Sequence, residues 1–376
     1  MKRFYCILVV GIVCNGWAQA HPQYKLELQS ALAPGAVNFT GINSAGTMVK
    51  PYQSNSLLIR QPDGSYSITD PYVSSVYTVD HSGMAIAGNN RCFGAFSYVD
   101  TPAIRSKPFV WSQDGGFQIL PDPSTVGETS SYTMYAASPG GEVAGGTFTY
   151  HLGAAQIFIP TRFRQIAGSW TGELFNGEGL SFYVEEDGSA YGRFRGKAGI
   201  WRPDGSLYVM PAPFQGGSNG PYSAVVGRDS QGRYFGQGKD EIWIWNNLSE
   251  QPQRFTMPAY IQADIFSLRI NRSGQGIFTS AGANSRPYIW NESDGPVNLN
   301  SLLLPEYSST YLISSTGGID DQGRIRALAR ELSTNEFRGV YLTPVPEPST
   351  LLLTGAGIGF LVFRRRRRGY SCRKIS

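Results

Sequence analysis

Two clusters of neighbouring carboxylates are the residues of this chain whose types and spacing could do acid–base chemistry. One cluster is Glu185, Glu186 and Asp187, and the other is Asp320 with Asp321. A polysaccharide hydrolase or lyase needs one carboxyl group as an acid and a second as a base or nucleophile. An enzyme that cleaves or modifies polysaccharides is therefore one alternative for this chain.

Other motifs for catalysis or metal binding are weak. The three histidines, His21, His81 and His151, are too few and too scattered to predict a histidine metal site. The sequence has no Asp-x-Asp-x-Asp-Gly calcium loop and no Cys-x-x-Cys pair. We predict no catalytic residues, no metal and no cofactor.

A short phrase recurs along the chain: an apolar residue, Asn or Asp, two polar or small residues, glycine, and a β-prone run. Five clear copies end at Gly46, Gly83, Gly232, Gly274 and Gly323, and two weaker copies, with Ser138 and Glu185 in place of Asn or Asp, end at Gly141 and Gly188. Such a segment closes a hairpin turn, because the side chain accepts backbone hydrogen bonds and the glycine adopts a positive φ. Both carboxylate clusters fall on these turns, so we interpret them first as hairpin residues.

A second phrase follows each turn, an apolar strand that commonly ends in tryptophan. The tryptophans in phase with it are predicted core residues: Trp111, Trp201, Trp245 and Trp290. A second turn often comes next, at Asp63-Gly64, Asp114-Gly115, Asp204-Gly205 and Asp294-Gly295. Two hairpins in about 46 residues predict four short strands per repeat. We therefore predict an all-β, β-propeller-like domain over residues 21–343, with six to seven four-stranded blades, in preference to a β-solenoid or tandem sandwiches.

The repeats resemble the HAF repeat of bacterial surface proteins. The resemblance rests on Gly41-Ile-Asn43 to Gly46, on Ala87-Gly88 and Ala144-Gly145, and on Pro108-Phe-Val-Trp111. Longer stretches between the phrases, such as 89–107 and 147–156, are predicted loops. Their aromatic residues are candidates for stacking on sugars: Tyr98, Tyr132, Tyr135 and Phe214.

The N-terminus has the pattern of a secretory signal peptide over residues 1–20. Lys2 and Arg3 precede an apolar run from Phe4 to Val13, and Ala18 and Ala20 supply the small residues of a signal-peptidase site. We predict cleavage after Ala20 and export of the chain.

The C-terminus combines three elements in a fixed order. An extended motif over residues 344–350 contains Val345, Pro346, Glu347, Pro348 and Ser349. A predicted short transmembrane helix over 351–363 follows, and the basic tail over 364–376 begins with Arg364, Arg365, Arg366, Arg367 and Arg368. At 1.5 Å per residue the helix covers roughly 20 Å of a roughly 30 Å hydrocarbon core, so it is a marginal anchor. The arginines retain the tail on the cytoplasmic side.

Together these elements resemble the PEP-CTERM sorting signal, whose bearers are substrates of the membrane protease exosortase. The resemblance implies transient anchoring in the inner membrane of a Gram-negative bacterium and a cut near Pro346 to Pro348. It further implies delivery to the cell surface or the extracellular space, with exopolysaccharide as a candidate partner. An ordinary membrane anchor that keeps its tail and binds a protein partner is the remaining alternative.

The terminal segments also explain the net charge. They hold nine of the 32 basic residues, which leaves 23 against at most 28 acidic residues. The processed chain is therefore acidic, and we predict no nucleic-acid partner. Cys92 is the one cysteine between the two segments, so an internal disulfide is excluded there.

Overall fold

The protein is a seven-bladed β-propeller, as the sequence predicts, and each blade has four antiparallel strands. The computed structural model describes residues 22–28, 41–52, 56–63, 65–69, 77–79, 84–100, 103–123, 130–152, 155–175, 177–212, 223–238, 240–261, 268–281 and 285–345. The predicted signal peptide with Ala18 and Ala20, and the tail from Pro346 onward, lie outside these residues.

The blades follow one another along the chain. Blade 1 contains β2 (Gly41–Ile42), β3 (Met48–Tyr52), β4 (Ser56–Arg60) and β5 (Tyr66–Thr69). Blade 2 contains β6 (Tyr77–Val79) and β7 (Ala85–Ile86), which share one edge of β8 (Cys92–Asp100), then β9 (Ala103–Ser112) and β10 (Gly116–Ile119). Blade 3 contains β11 (Ser130–Ala137), β12 (Val143–Leu152), β13 (Ala155–Ile166) and β14 (Ser169–Leu174).

The remaining blades repeat the same plan. Blade 4 contains β15 (Gly179–Val184), β16 (Ala190–Phe194), β17 (Lys197–Trp201) and β18 (Leu207–Val209). Blade 5 contains β19 (Ala224–Arg228), β20 (Tyr234–Gln237), β21 (Glu241–Trp245) and β22 (Gln253–Thr256). Blade 6 contains β23 (Arg269–Ile270), β24 (Gly276–Thr279), β25 (Pro287–Asn291) and β26 (Gly295–Asn298), followed by the 3-10 helix η1 (Leu299–Leu302) and the helix α1 (Pro305–Ser308).

Blade 7 closes the ring with strands from both ends of the chain. It contains β27 (Tyr311–Ile319), β28 (Ile325–Glu331), β29 (Phe337–Val345) and, at its outer edge, β1 (Gln23–Leu28). Gln23 pairs with Val345 in the antiparallel register of β1 and β29. The propeller therefore extends to Val345, two residues beyond the predicted domain end at 343.

The recurring Asx-x-x-Gly phrase forms the hairpin turn between the first and second strands of a blade. In blade 1 the Gly46 N–H donates to the Asn43 carbonyl, and the Asn43 N–H donates to the Thr47 carbonyl. The same pair of bonds recurs in blades 4 to 7, and in blade 3 the Ser138 N–H donates to the Val143 carbonyl, one residue farther along. The glycine has a positive φ in all six turns, between 69° and 89°, which a residue with a Cβ rarely adopts.

Blade 2 departs from the predicted phrase. Its turn between β7 and β8 runs from Ala87 to Arg91, and Asn90 takes the left-handed position at φ 64°. The predicted copy ending at Gly83 is therefore wrong as the hairpin turn of this blade, and Asp80 to Gly83 lie outside the described residues. Asparagine tolerates this conformation better than most other residues with a side chain, so the turn of blade 2 lacks the glycine that marks the other turns.

These turns also join each blade to the next in a closed ring of hydrogen bonds. Between blades 1 and 2 the Asn43 side chain donates to the Ala87 carbonyl. Between blades 2 and 3 the Asn89 N–H donates to the Pro139 carbonyl, and between blades 3 and 4 the Ser138 hydroxyl donates to Glu186. Arg228 of blade 5 donates to Glu185 of blade 4, and the Ser230 N–H of blade 5 donates to the Arg272 carbonyl of blade 6. Asn271 of blade 6 donates to the Asp320 carbonyl of blade 7, and the Asp321 N–H of blade 7 donates to the Ser44 carbonyl of blade 1. Ring closure thus depends on polar turn residues as well as on the apolar core.

Replacing Asn271 by alanine should lower the free energy of unfolding by about 1–3 kcal/mol, because it leaves buried backbone groups without partners. Asn271 Nδ2 donates to the Asp320 carbonyl at 2.8 Å, and its Oδ1 accepts from the Gln275 N–H at 2.9 Å. Asn247→Ala is the matched control, since Asn247 caps only its own exposed loop. Chemical denaturation checks the difference, and equal losses in the two variants would contradict the role of the ring.

The predicted tryptophan core is confirmed for three of its four members. Trp201, Trp245 and Trp290 are buried, whereas Trp111 is half-buried and packs at the edge of its cluster. The stretches 89–107 and 147–156 are not loops as predicted, because they contribute to β8, β9, β12 and β13. Cys92 is buried and free.

Candidate functional site

The first strands of all seven blades surround a central channel with a cavity of about 560 Å³. This volume is in the range of small-molecule pockets. Each blade contributes at least one lining residue, among them Ile42, Ala85, Tyr135, Phe182, Val226, Arg269 and Gly317. The channel is therefore the candidate site.

A β-bulge recurs in the first strands of blades 3, 4, 5 and 7, and its extra residue lines the channel. The extra residue is Tyr135 in blade 3, Phe182 in blade 4, Val226 in blade 5 and Gly317 in blade 7. All four line the cavity. Bulges re-aim side chains out of the regular alternation of a strand, and here they place an aromatic pair, Tyr135 and Phe182, with ring centroids 5.7 Å apart.

Because Gly317 has no side chain, the space beside it at the bulge is filled by an arginine of the next strand. A Cβ at Gly317 would collide with the guanidinium of Arg326, which lies in β28 and donates to the Gly317 carbonyl. Nε of Arg326 is buried and has no hydrogen-bond partner among the described residues. Burial, with a smaller contribution from Arg269, lowers the pKa of Arg326 to about 10, so the side chain remains charged at neutral pH.

Arg269 places a second positive charge near both the Arg326 guanidinium and the Tyr135 hydroxyl. Arg269 and Arg326 both line the channel. Burial raises the pKa of the Tyr135 hydroxyl, and the positive charges of Arg269 and Arg193 offset part of that increase. Arg269, Arg326 and Tyr135, which we call the arginine cluster, thus come from blades 6, 7 and 3 and lie within electrostatic range of one another.

The charges at the turn end of the channel are paired. Arg228 Nη1 donates to Glu185 Oε1 at 2.6 Å, and Glu185 also accepts from the Tyr191 hydroxyl at 2.5 Å. The N–H of Arg272 donates to Asp321 Oδ1 at 2.9 Å, and its guanidinium lies 4.0 Å from the same carboxylate. Glu185 and Asp321 therefore hold neighbouring turns together.

The other predicted carboxylates act as turn residues, as their phase with the repeats indicates. Asp187 accepts from the Ser189 N–H at 2.7 Å, and Glu186 accepts from Ser138 of blade 3 at 2.8 Å. Asp320 is fully buried, accepts from the Arg324 N–H at 2.8 Å and forms an ion pair with the Arg324 guanidinium.

No group of three or more His, Cys, Asp or Glu side chains among the described residues could hold a metal ion. His151 lies in β12, while His21 and His81 lie outside the described residues.

Sequence reasoning placed the candidate aromatic residues in loops, and three of the four lie in strands. Tyr98 is in β8, and Tyr132 and Tyr135 are in β11. Tyr132 is fully buried and donates to Asp122 Oδ1 at 2.5 Å, so it faces the core. Phe214 lies outside the described residues. The sequence analysis did not predict the arginine cluster. Its one usable signal was the adjacent pair Gly317 and Gly318 before a turn, which leaves room for a side chain from the neighbouring strand.

The sorting motif begins where the propeller ends. Val345 is the last residue of β29, while Pro346, Glu347, Pro348, Ser349, the predicted helix 351–363 and Arg364 to Arg368 lie outside the described residues. Within the described ranges, the helices are all too short or too polar to cross a membrane.

Solved structures confirm the propeller fold. A chain of the mitotic checkpoint complex is 11% identical with a TM-score of 0.52, and the match covers 87% of this chain and 94% of that one. A puromycin hydrolase S511A mutant complexed with PGG is 10% identical with a TM-score of 0.53, and the match covers 83% of this chain. This chain spans only 56% of the hydrolase. At such identities the likeness concerns the fold alone.

No curated protein matches the sequence, and the HAF resemblance stays a prediction. Residues 344–368 match the model of the PEP-CTERM protein-sorting motif, which confirms the predicted resemblance at the C-terminus. The chain is therefore a seven-bladed β-propeller with a PEP-CTERM sorting motif, which marks it as an exosortase-targeted surface protein.

Proposed function

We propose that the protein is a binding component of the bacterial surface or of the exopolysaccharide matrix, cut by exosortase near Pro346 to Pro348 and released from the inner membrane. The observation that carries the proposal is the match of residues 344–368 to the PEP-CTERM sorting motif. The signal-peptidase site at Ala18 and Ala20 supports export. The arginines from 364 to 368 support retention of the uncut tail.

The closure of blade 7 places the two proposed processing sites at the same edge of the propeller. Because β1 pairs with β29, the strand that begins three residues after Ala20 lies beside the strand that ends at Val345. Both must be on the same side of the membrane before the ring can close. The cut then releases a closed propeller, whose two new ends lie side by side.

The channel supports a binding role over the alternative of a polysaccharide-cleaving enzyme. General acid–base cleavage of a glycoside needs two carboxyl groups available to the substrate. Asp321 lines the channel and accepts from the Arg272 N–H, and Glu185 accepts from the lining residue Arg228. A cavity with aromatic and guanidinium groups suits recognition of a ligand.

Fractionation of the native bacterium and of an isogenic strain without exopolysaccharide synthesis tests this proposal. We expect the processed protein in the matrix fraction of the first strain and in the medium of the second. An identical distribution in the two strains would contradict a matrix role. A secreted protein without a sorting motif, measured in both strains, controls for a general change in export.

A further inference from the structure

We propose that the central channel binds an acidic saccharide unit, with its carboxylate held by Arg326 and Arg269 and its sugar ring against Tyr135 and Phe182. This inference rests on the proposed function and deepens it, because it names the class of ligand and the surface that takes it. Three features of the described channel support it: an incompletely bonded buried guanidinium, an excess of positive charge, and an aromatic wall.

The first feature is the hydrogen bonding of Arg326. Its guanidinium donates to the carbonyl of Gly317, but Nε is buried with no partner among the described residues. Burying a charged donor without an acceptor is costly. A carboxylate would offer two oxygens to the fork of a guanidinium, which is the geometry that arginine binds best.

The second feature is the charge of the lining. Four arginines face the cavity among the described residues, and Asp321 is the single carboxylate there. Two of them, Arg228 and Arg272, contact the turn carboxylates Glu185 and Asp321. Arg326 lies instead in the space left by Gly317, and its guanidinium donates to the neutral carbonyl of that residue. The deeper part of the channel therefore attracts an anion.

The third feature is the aromatic wall beside this charge. Tyr135 and Phe182 stand on neighbouring blades with ring centroids 5.7 Å apart, and both line the cavity. Tyr183 lines it as well. Aromatic rings present apolar faces on which the C–H face of a sugar can pack, and the tyrosine hydroxyl adds a polar group. A ligand with one carboxylate and one sugar ring would place the carboxylate against the arginines and the ring against the aromatic side chains.

Isothermal titration calorimetry of the purified full-length chain tests the inference, with tetragalacturonate as the acidic probe, cellotetraose as the neutral probe and citrate as a free carboxylic acid. We expect tetragalacturonate to bind and cellotetraose not to bind at equal concentration and ionic strength. Arg326→Gln should weaken binding by about thirtyfold or more, since it removes one partner of a buried charged hydrogen bond.

Two further variants separate the channel from folding and from surface charge. Gly317→Ala keeps the charge of Arg326 but puts a Cβ in the place of its guanidinium, so it should also weaken binding. Arg286→Gln changes an exposed arginine outside the channel lining and should leave the affinity unchanged. The melting temperature of each variant controls for a change in folding.

Equal affinity of Arg326→Gln and the wild-type chain for tetragalacturonate would overturn the inference, as would equal binding of cellotetraose. Binding of citrate without tetragalacturonate would overturn the saccharide class. If the protein is in the matrix fraction but its affinity is independent of Arg326, only the channel assignment fails. If Arg326-dependent binding is found and the protein is absent from the matrix, the channel assignment stands and the matrix role fails.

Discussion

Replacing Pro346, Glu347 and Pro348 together by alanine should leave nearly all of the protein as full-length chain in the membrane fraction. Proline cannot continue a helix and restricts the residue before it, so the sequence predicts an extended segment in the wild-type chain. Alanine is the best helix former, so the predicted helix 351–363 would extend toward the propeller. The substitution would thus remove both the sequence that exosortase is proposed to cut and the extended conformation predicted for it.

The position of the motif makes this effect large. Only five residues, 346–350, separate the last strand from the predicted helix, and they span roughly 17 Å when extended. The protease must therefore reach a short segment between a closed blade and the bilayer. Converting part of it to helix would shorten it further, since a helix rises only about 1.5 Å per residue.

Intact-mass analysis and immunoblots of the medium, surface and membrane fractions check this outcome. The matched control is the double replacement of Pro305 and Glu306 by alanine, an exposed Pro-Glu pair at the start of α1. That variant should be processed and released like the wild-type chain. Normal release of the Pro346-Glu347-Pro348 variant would refute recognition of this motif.

Trp201→Ala should be the most damaging single substitution proposed for the blades, with a loss of about 3–5 kcal/mol in the free energy of unfolding. Trp201 ends β17, is 3% exposed, and packs against Phe175 with ring centroids 5.2 Å apart. The ring also covers the fully buried guanidinium of Arg162, whose Cζ lies 4.3 Å from the ring centroid. The alanine variant would lose the buried ring and uncover this charge.

Two controls isolate the contribution of burial. Trp111→Ala removes the same type of residue at the equivalent strand position of blade 2, where the side chain is half-buried, so its cost should be smaller. Trp201→Phe keeps an aromatic ring between Phe175 and Arg162 and should recover part of the loss. Denaturant midpoints of the three variants check the order. A Trp201→Ala midpoint equal to that of Trp111→Ala would contradict the packing described for blade 4.

The fold could be predicted from the sequence because its repeats have a direct physical meaning. Each Asx-x-x-Gly turn needs a side chain that accepts backbone hydrogen bonds, followed by a residue with a positive φ. One such turn occurs in each blade, so the spacing between successive copies gives the blade length. The prediction failed in blade 2 because Asn90 replaces glycine at that position. Closure by β1 was not predicted in detail, since the pairing of Gln23 with Val345 joins residues more than 300 positions apart.

The channel could not be predicted from local patterns, because its residues come from different blades. Tyr135 was expected in a loop, but it lies at the bulge of β11 and lines the cavity. Arg326 gave no signal by itself, since its place in the channel depends on the missing side chain of Gly317. The terminal signals behave differently: they are contiguous in sequence, and the match at 344–368 needs no tertiary structure.

The C-terminal mass of the protein from its native bacterium tests the central claim most directly, measured by peptide mass spectrometry in medium, surface and membrane fractions. Exosortase processing predicts a chain that ends between Pro346 and Ser349 in the surface or medium fraction. Peptides that continue through Phe363 and the arginines from 364 to 368, found only in membranes, would contradict it and identify an anchored surface protein instead.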